Sequence, residues 1–283
     1  LRYHWIMYKG KYETELVSDV HRRLKEEFKL QDTEALSHIK EYTTSLKETS
    51  YVFKELNNPE DSNSFSDWSN SPAIQEIRKY VNGLHRLRSA ATFMPLLLAS
   101  RIIYRDSPER FKEIARLCEN FAFRVYKVGN RRTDAGYSMF CRLAHVVFDK
   151  RNRDEIEKQE AYLQIFVKTK DSIERYCNDQ EFKNNLDRDH FYYGWIEEYE
   201  AKYLLYEFES KKCKDNKESP PQWNEISERA TIEHILPQNP RGMNDWSDEQ
   251  KQTHAKCVNK LGNLTLTFWN PELSNKNFSE KKQ

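Results

Sequence analysis

Glycine is scarce in this chain, with 7 in 283 residues, and none cluster. That excludes a phosphate-cradling glycine loop and a dinucleotide fingerprint, both of which need closely spaced glycines. Cysteine is equally thin. Cys118, Cys141, Cys177, Cys213 and Cys257 are scattered, odd in number, and no pair has metal-ligand spacing. A disulfide framework and a zinc-type centre are thereby disfavoured, and a reducing, cytoplasmic compartment is expected. The longest apolar run, Met94 to Ala99, is far too short to cross a membrane. No signal peptide is expected from these residues. Charge of one sign is missing too: 46 basic residues face 45 acidic ones, a net of +1. A generally basic nucleic-acid binder is excluded, so any contact with a polyanion must come from a local patch.

What is present suits a mainly α fold. Hydrophobic residues make up 37% and charged residues 32% of the chain, with 16 Tyr and 15 Phe to fill a core. Residues 12 to about 210 read as helices. Ile74, Ile77, Val81 and Leu84 fall at helical spacing, as do Phe111, Ile114, Cys118, Phe121 and Val125. Ser107 before Pro108 marks a helix start. A further amphipathic helix is expected over 153–178, with Ile156, Leu163, Phe166 and Ile173 as its apolar stripe. Another is expected from Trp195 to Phe208, with Tyr199, Tyr203, Tyr206 and Phe208 on its core side. The polar stretch Asn57–Pro72 reads as a mobile loop with Trp68 as an occasional anchor.

Lys211 to Gln222 combine charge, Ser and a Pro pair, and are the expected linker. The domains expected are therefore 1–210, helical, and 223–283, a separate small module. In that module Thr231–Leu236 and Lys260–Phe268 read as strands, and Ser274 as the cap of a final helix.

The chemistry is concentrated there. Thr231-Ile232-Glu233-His234-Ile235-Leu236-Pro237-Gln238 ends a short apolar run in an acid, a histidine and a proline. Asn259-Lys260-Leu261-Gly262-Asn263-Leu264-Thr265-Leu266-Thr267 follows, then Leu273-Ser274-Asn275-Lys276. A base, a carboxylate and a carboxamide in one unit are the parts of a metal-assisted phosphodiesterase. A neutral histidine can take a proton from water near pH 7. A hard cation needs few protein oxygens, because Mg²⁺ keeps several of its waters.

These three segments resemble the nuclease domain of GmrSD-like restriction endonucleases, in the HNH, or His-Me finger, class. Phe123-Arg124-Val125-Tyr126 through Asn130-Arg131-Arg132, and Tyr192-Tyr193-Gly194-Trp195, resemble that family's middle region. The resemblance implies a ββα-metal nuclease module that cuts DNA, with Mg²⁺ or Mn²⁺ as cofactor. It implies His234 as general base, Asn263 as the brace that orients it, and Glu233 and Asn275 as metal ligands. Lys276 and Lys260 are candidate phosphate contacts. The biological role implied is restriction of phage DNA, possibly modified. The chain opens without Met and stops where relatives continue, so a fragment is expected. Its missing N-terminal nucleotide-handling domain, or a partner subunit, would sense the modification. Where relatives carry Pro after Ser-Asn-Lys, this chain has Asn277.

Some residues carry two readings. Arg131 and Arg132 suit a phosphate contact, an interdomain salt bridge or a solvated turn. Arg86, Arg88, Arg101 and Arg105 suit either internal packing or DNA. His254, on a polar helix with Lys251 and Lys256, reads as a surface residue. Glu233 and His234 are neighbours, and neighbours on a regular strand point to opposite faces. A shared ion then requires the strand to end or distort near Pro237. The competing function is a helical binding or regulatory module with an inactive nuclease unit; an RNA-cutting nuclease is the alternative among enzymes.

Overall fold

A computed structural model describes residues 1–10, 17–27, 35–240, 243–268 and 276. The described residues are mainly helical, with one two-stranded antiparallel sheet. By contacts the chain divides into two compact units. The first comprises Leu1–Tyr126 and Arg131–Tyr176, the second Lys127–Asn130 and Cys177–Gln283.

The first unit is a helical bundle. It contains α1 (Arg2–Lys9), α2 (Val17–Glu27), α3 (Ala35–Asn57), α4 (Ile74–Arg86), α5 (Ala90–Ile103), α6 (Pro108–Phe121), α7 (Tyr137–Asp149) and α8 (Glu155–Tyr176). Helix α5 is its axis. Every residue from Thr92 to Arg101 is buried, and α5 packs against α1, α3, α6 and α7. A helix apolar on all sides must be central. Around it Phe93, Phe121 and Phe140 meet edge to face, with Phe93–Phe140 at 4.7 Å and Phe121–Phe140 at 5.0 Å. One of the few glycines ends α1: Gly10 has φ +68°, and a Cβ there would fall 2.7 Å from the His145 ring. No larger residue fits that approach.

Two expectations change here. The 57–72 stretch is packed rather than loosely anchored. Phe65 and Trp68 are buried and stack at 6.0 Å with rings 2° apart, and the Trp68 indole donates to the Arg105 carbonyl at 2.5 Å. Helix α8 does form, but its buried stripe is Ala161, Ile165, Thr169 and Ser172, while Ile156 and Leu163 are exposed. The period was legible. The face was not, because small residues set the close approach between helices.

Buried Arg101 holds the packed loop to α5. Its guanidinium bonds Glu55 at 3.1 Å and Asp67 at 2.5 Å, and sits 3.8 Å from the Trp68 ring centroid. This internal pairing is one of the two readings its sequence allowed.

The second unit contains α9 (Asp179–Leu186), α10 (Glu198–Asp215), α11 (Trp223–Arg229), β1 (Thr231–His234), α12 (Asp248–Cys257) and β2 (Leu264–Thr267). It begins well before residue 223. Residues Lys211–Asp215, expected in a linker, complete α10. That helix packs on both strands. One apolar cluster joins Phe191, Tyr192, Ile196 and Ala201 to Ile232 and Leu264, so the strands have no core without the preceding helices. The four residues Lys127–Asn130 count with this unit for a similar reason. The Val128 carbonyl accepts from Trp195 Nε1 at 2.8 Å and from Asn185 Nδ2 at 3.1 Å, and Lys127 pairs with Glu200 at 3.0 Å.

Replacing Arg101 by Ala leaves Glu55 without its cation, leaves Asp67 only a longer 4.0 Å contact with Arg105, and uncovers the Trp68 face. The expected loss is about 2–3 kcal/mol in urea unfolding of the full chain, below the usual cost for a fully buried pair because both carboxylates keep some contact with water. A loss under about 0.5 kcal/mol would show that the loop is held by Phe65 and Trp68 alone.

Candidate active site

The site is built on β1. Thr231 and Ile232 are β-branched and favour the extended chain. The strand pairs antiparallel with β2 in regular register: Thr231 with Thr267, Ile232 with Leu266, Glu233 with Thr265, His234 with Leu264. The pairing is unbroken to the end of the strand. Ile232 and His234 therefore share one face and Glu233 takes the other. Both functional side chains are nonetheless buried, Glu233 at 6% and His234 at 7% exposure.

Beyond His234 the chain must leave the sheet, and Asn263 controls how it does so. Its backbone carbonyl accepts from Ile235 N at 2.9 Å. Its side-chain oxygen accepts from Leu236 N at 2.7 Å, and its side-chain nitrogen donates to the carbonyls of Leu236 at 3.0 Å and Val258 at 2.8 Å. Both amide protons and one oxygen lone pair are thus used on backbone. The loop after His234 is bound to the turn before β2 by one side chain. A second strut comes from α12, which opens with a capping box between Ser247 and Gln250. From it buried His254 donates Nε2–H to the Pro237 carbonyl at 2.8 Å. His254 is therefore a loop support rather than the surface residue expected.

His234 itself meets a residue to which its sequence had assigned no part. The Asn259 side-chain oxygen lies 3.2 Å from His234 Nε2. The backbone carbonyl of the same Asn259 accepts from Tyr192 N at 3.0 Å. Two tyrosines complete the surroundings. The Tyr192 ring is 5.7 Å from the His234 ring, and the Tyr193 ring is 6.5 Å away and 18° from parallel. Burial, followed by a hydrogen bond with Tyr193, raises the Tyr192 hydroxyl well above the ordinary tyrosine range.

The fold thus gathers His234, Asn259, Asn263, Tyr192, Tyr193 and His254 in one place. Other candidates lie elsewhere. Lys260 pairs with Asp187 at 3.2 Å and Asp189 at 3.3 Å, and hydrogen bonds to those carboxylates raise its pKa. Its positive charge is already answered within the unit. Arg131 and Arg132 belong to the first unit, where Arg131 Nε donates to the Tyr176 carbonyl at 2.9 Å and Arg132 pairs with Asp134 at 3.1 Å. Lys276 is exposed. Asn275 and the helix expected from Ser274 lie outside the described residues. Among the described residues no three His, Cys, Asp or Glu side chains are grouped to hold a metal ion. Among those residues, too, no helix is long and apolar enough to cross a membrane.

Residues 176–283 match the family model of GmrSD restriction endonucleases, C-terminal domain. The match begins one residue before the main segment of the second unit. It supports a GmrSD-like family for this part of the chain and implies a nuclease acting on DNA in a restriction system. No curated protein matches the chain.

Asn263→Ala removes three hydrogen bonds to buried or half-buried backbone. We expect at least about 2 kcal/mol of lost stability, since each orphaned backbone group carries its own desolvation cost. Hydrogen exchange at the Leu236 amide should accelerate more than at Ile232. Unchanged exchange at Leu236 would mean that the backbone bond from Ile235 holds the loop unaided.

Proposed function

We propose that the second unit is an HNH-type, His-Me finger nuclease that hydrolyses DNA phosphodiester bonds, with His234 as general base, in the restriction of phage DNA. The observation that carries this reading is the contact of His234 Nε2 with the Asn259 side-chain oxygen. An amide oxygen only accepts, so Nε2 keeps the proton and the lone pair falls on Nδ1. Nδ1 is then the nitrogen that takes a proton from water. The buried setting limits ring rotation, and the Asn263 brace holds the chain just beyond the ring in one conformation. Water activated there attacks phosphorus in line. The 3′ oxygen departs and is protonated, leaving a 5′-phosphate and a 3′-hydroxyl.

The donor chemistry suits a hard cation. Glu233 offers a buried carboxylate, Asn275 would add an amide oxygen, and the sulfur ligands of a zinc-type centre are absent from these segments. We assign the holding of Mg²⁺ or Mn²⁺ to Glu233 and Asn275. When bound, the ion supplies charge stabilisation at the phosphoryl oxygens. Regular register places Glu233 and His234 on opposite faces of the strand, so holding the ion and taking the proton are assigned to separate groups. With Lys260 already paired, Lys276 is the cation assigned to a substrate phosphate.

Supercoiled plasmid tests the reading directly. The full chain should nick or cut it with Mg²⁺ or Mn²⁺ and not with EDTA. His234→Ala should reduce the rate by about 10²–10⁴, the usual worth of a general base, and Glu233→Gln should weaken Mn²⁺ binding in calorimetry. Cutting by His234→Ala at the wild-type rate would remove His234 from the mechanism.

A second expectation concerns pH. An acceptor at Nε2 favours the imidazolium, so its loss lowers the pKa of the ring. In Asn259→Ala the base stays deprotonated to lower pH. The acid limb of the pH–rate profile should therefore move to lower pH, with a reduced maximum from poorer orientation. A limb moving to higher pH, or staying in place, would deny Asn259 this role.

A further inference from the structure

Tyr193 combines three features rarely found together. It is a large aromatic residue exposed to 67%. Its backbone has φ +63°, the left-handed region, which is strained for a residue with a large side chain. Its ring lies within 6.5 Å of the His234 ring and nearly parallel to it.

The strain is imposed from several directions. Phe191 O accepts from both Trp195 N at 3.2 Å and Ile196 N at 2.9 Å, closing a tight turn. Tyr192 and Ile196 form a β-bridge across it. Tyr192 N is fixed to Asn259 O, on the residue that holds His234. Gly194 follows because a Cβ there would lie 2.6 Å from the His190 carbonyl oxygen. The buried Tyr192 ring lies against Tyr193 at 3.8 Å. The turn therefore presents one aromatic face outward, in fixed relation to the proposed base, at a conformational cost that core packing does not recover.

We propose that Tyr193 is a substrate-binding residue: its exposed ring stacks on an unpaired or readily unstacked nucleobase beside the phosphodiester bond to be cut. The inference rests on the nuclease reading of His234. Stacking needs no free cation, and the charge of Lys260 is already answered by Asp187 and Asp189. It is also tolerant of sequence, because every base has a π face. The hydroxyl is not needed for this role, only the ring.

The test uses the full chain in EDTA, so that nothing is cut, with a single-stranded oligodeoxynucleotide carrying 2-aminopurine. Wild type and Tyr193→Phe should bind and quench the fluorophore alike. Tyr193→Asn removes the ring with a residue that accepts the left-handed backbone. It should lose most of the quenching and bind about tenfold or more weakly, as expected for one lost base stack. An oligonucleotide abasic at that position should bind wild type and Tyr193→Asn equally. Quenching by Tyr193→Asn equal to wild type, or none by wild type, overturns the proposal. The two readings fail separately. Tyr193-dependent quenching without any metal-dependent cutting would keep the stack and sink the nuclease, and His234-dependent cutting with quenching indifferent to Tyr193 would do the reverse.

Discussion

The carboxamide of Asn263 ties the exit of β1 to the turn that leads into β2, and the candidate site depends on that tie. Two four-residue strands make few ladder bonds, and a two-stranded hairpin is marginal alone. The connection between them is long. Without a cross-link at its open end, the backbone after His234 would be free to fray. Asn263 supplies the cross-link through three side-chain hydrogen bonds and one backbone bond. His254 adds a further point of attachment from α12. Together they define where the His234 main chain stops being strand, and so where its ring is carried.

The segment between α9 and α10 serves the same end from the other side. Phe191, Tyr192 and Ile196 close the apolar cluster on the face that Ile232 shares with His234. Asn259 then acts twice, once through its side chain on the imidazole and once through its carbonyl on the Tyr192 amide. Positioning of His234 and placement of the Tyr192–Tyr193 turn are coupled through one residue. That coupling explains why the segment from 177 belongs with the strands, although composition suggested a boundary at 211–222. It is also the segment over which the family match runs.

Two cations of this unit are paired within it. Lys260 and its two aspartates, and Lys127 with Glu200, are pairs in which each cation has its partner. For the proposed handling of a polyanion, a near-neutral chain would rely on a few local groups and on aromatic surface rather than on net charge. The exposed Tyr193 beside His234 fits that economy of charge better than a broad basic face would.

Several features were legible from residues alone. Helical periods marked α4 and α6, because amphipathic spacing follows from the α-helical pitch. The segments around Glu233-His234 and Asn263-Leu264 announced two strands, because short runs of apolar and β-branched residues bounded by turn residues favour the extended chain. Tertiary structure decided the rest. Which face α8 buries depends on small residues at a helix contact, which hydropathy ranks low. Whether His254 is wet or buried depends on a carbonyl seventeen positions earlier. Asn259 and Tyr193 gain their meaning only from proximity to an imidazole far along the chain, and a left-handed tyrosine leaves no mark in composition. Local propensity follows from the order of residues, whereas proximity across a core is settled only when the chain has packed.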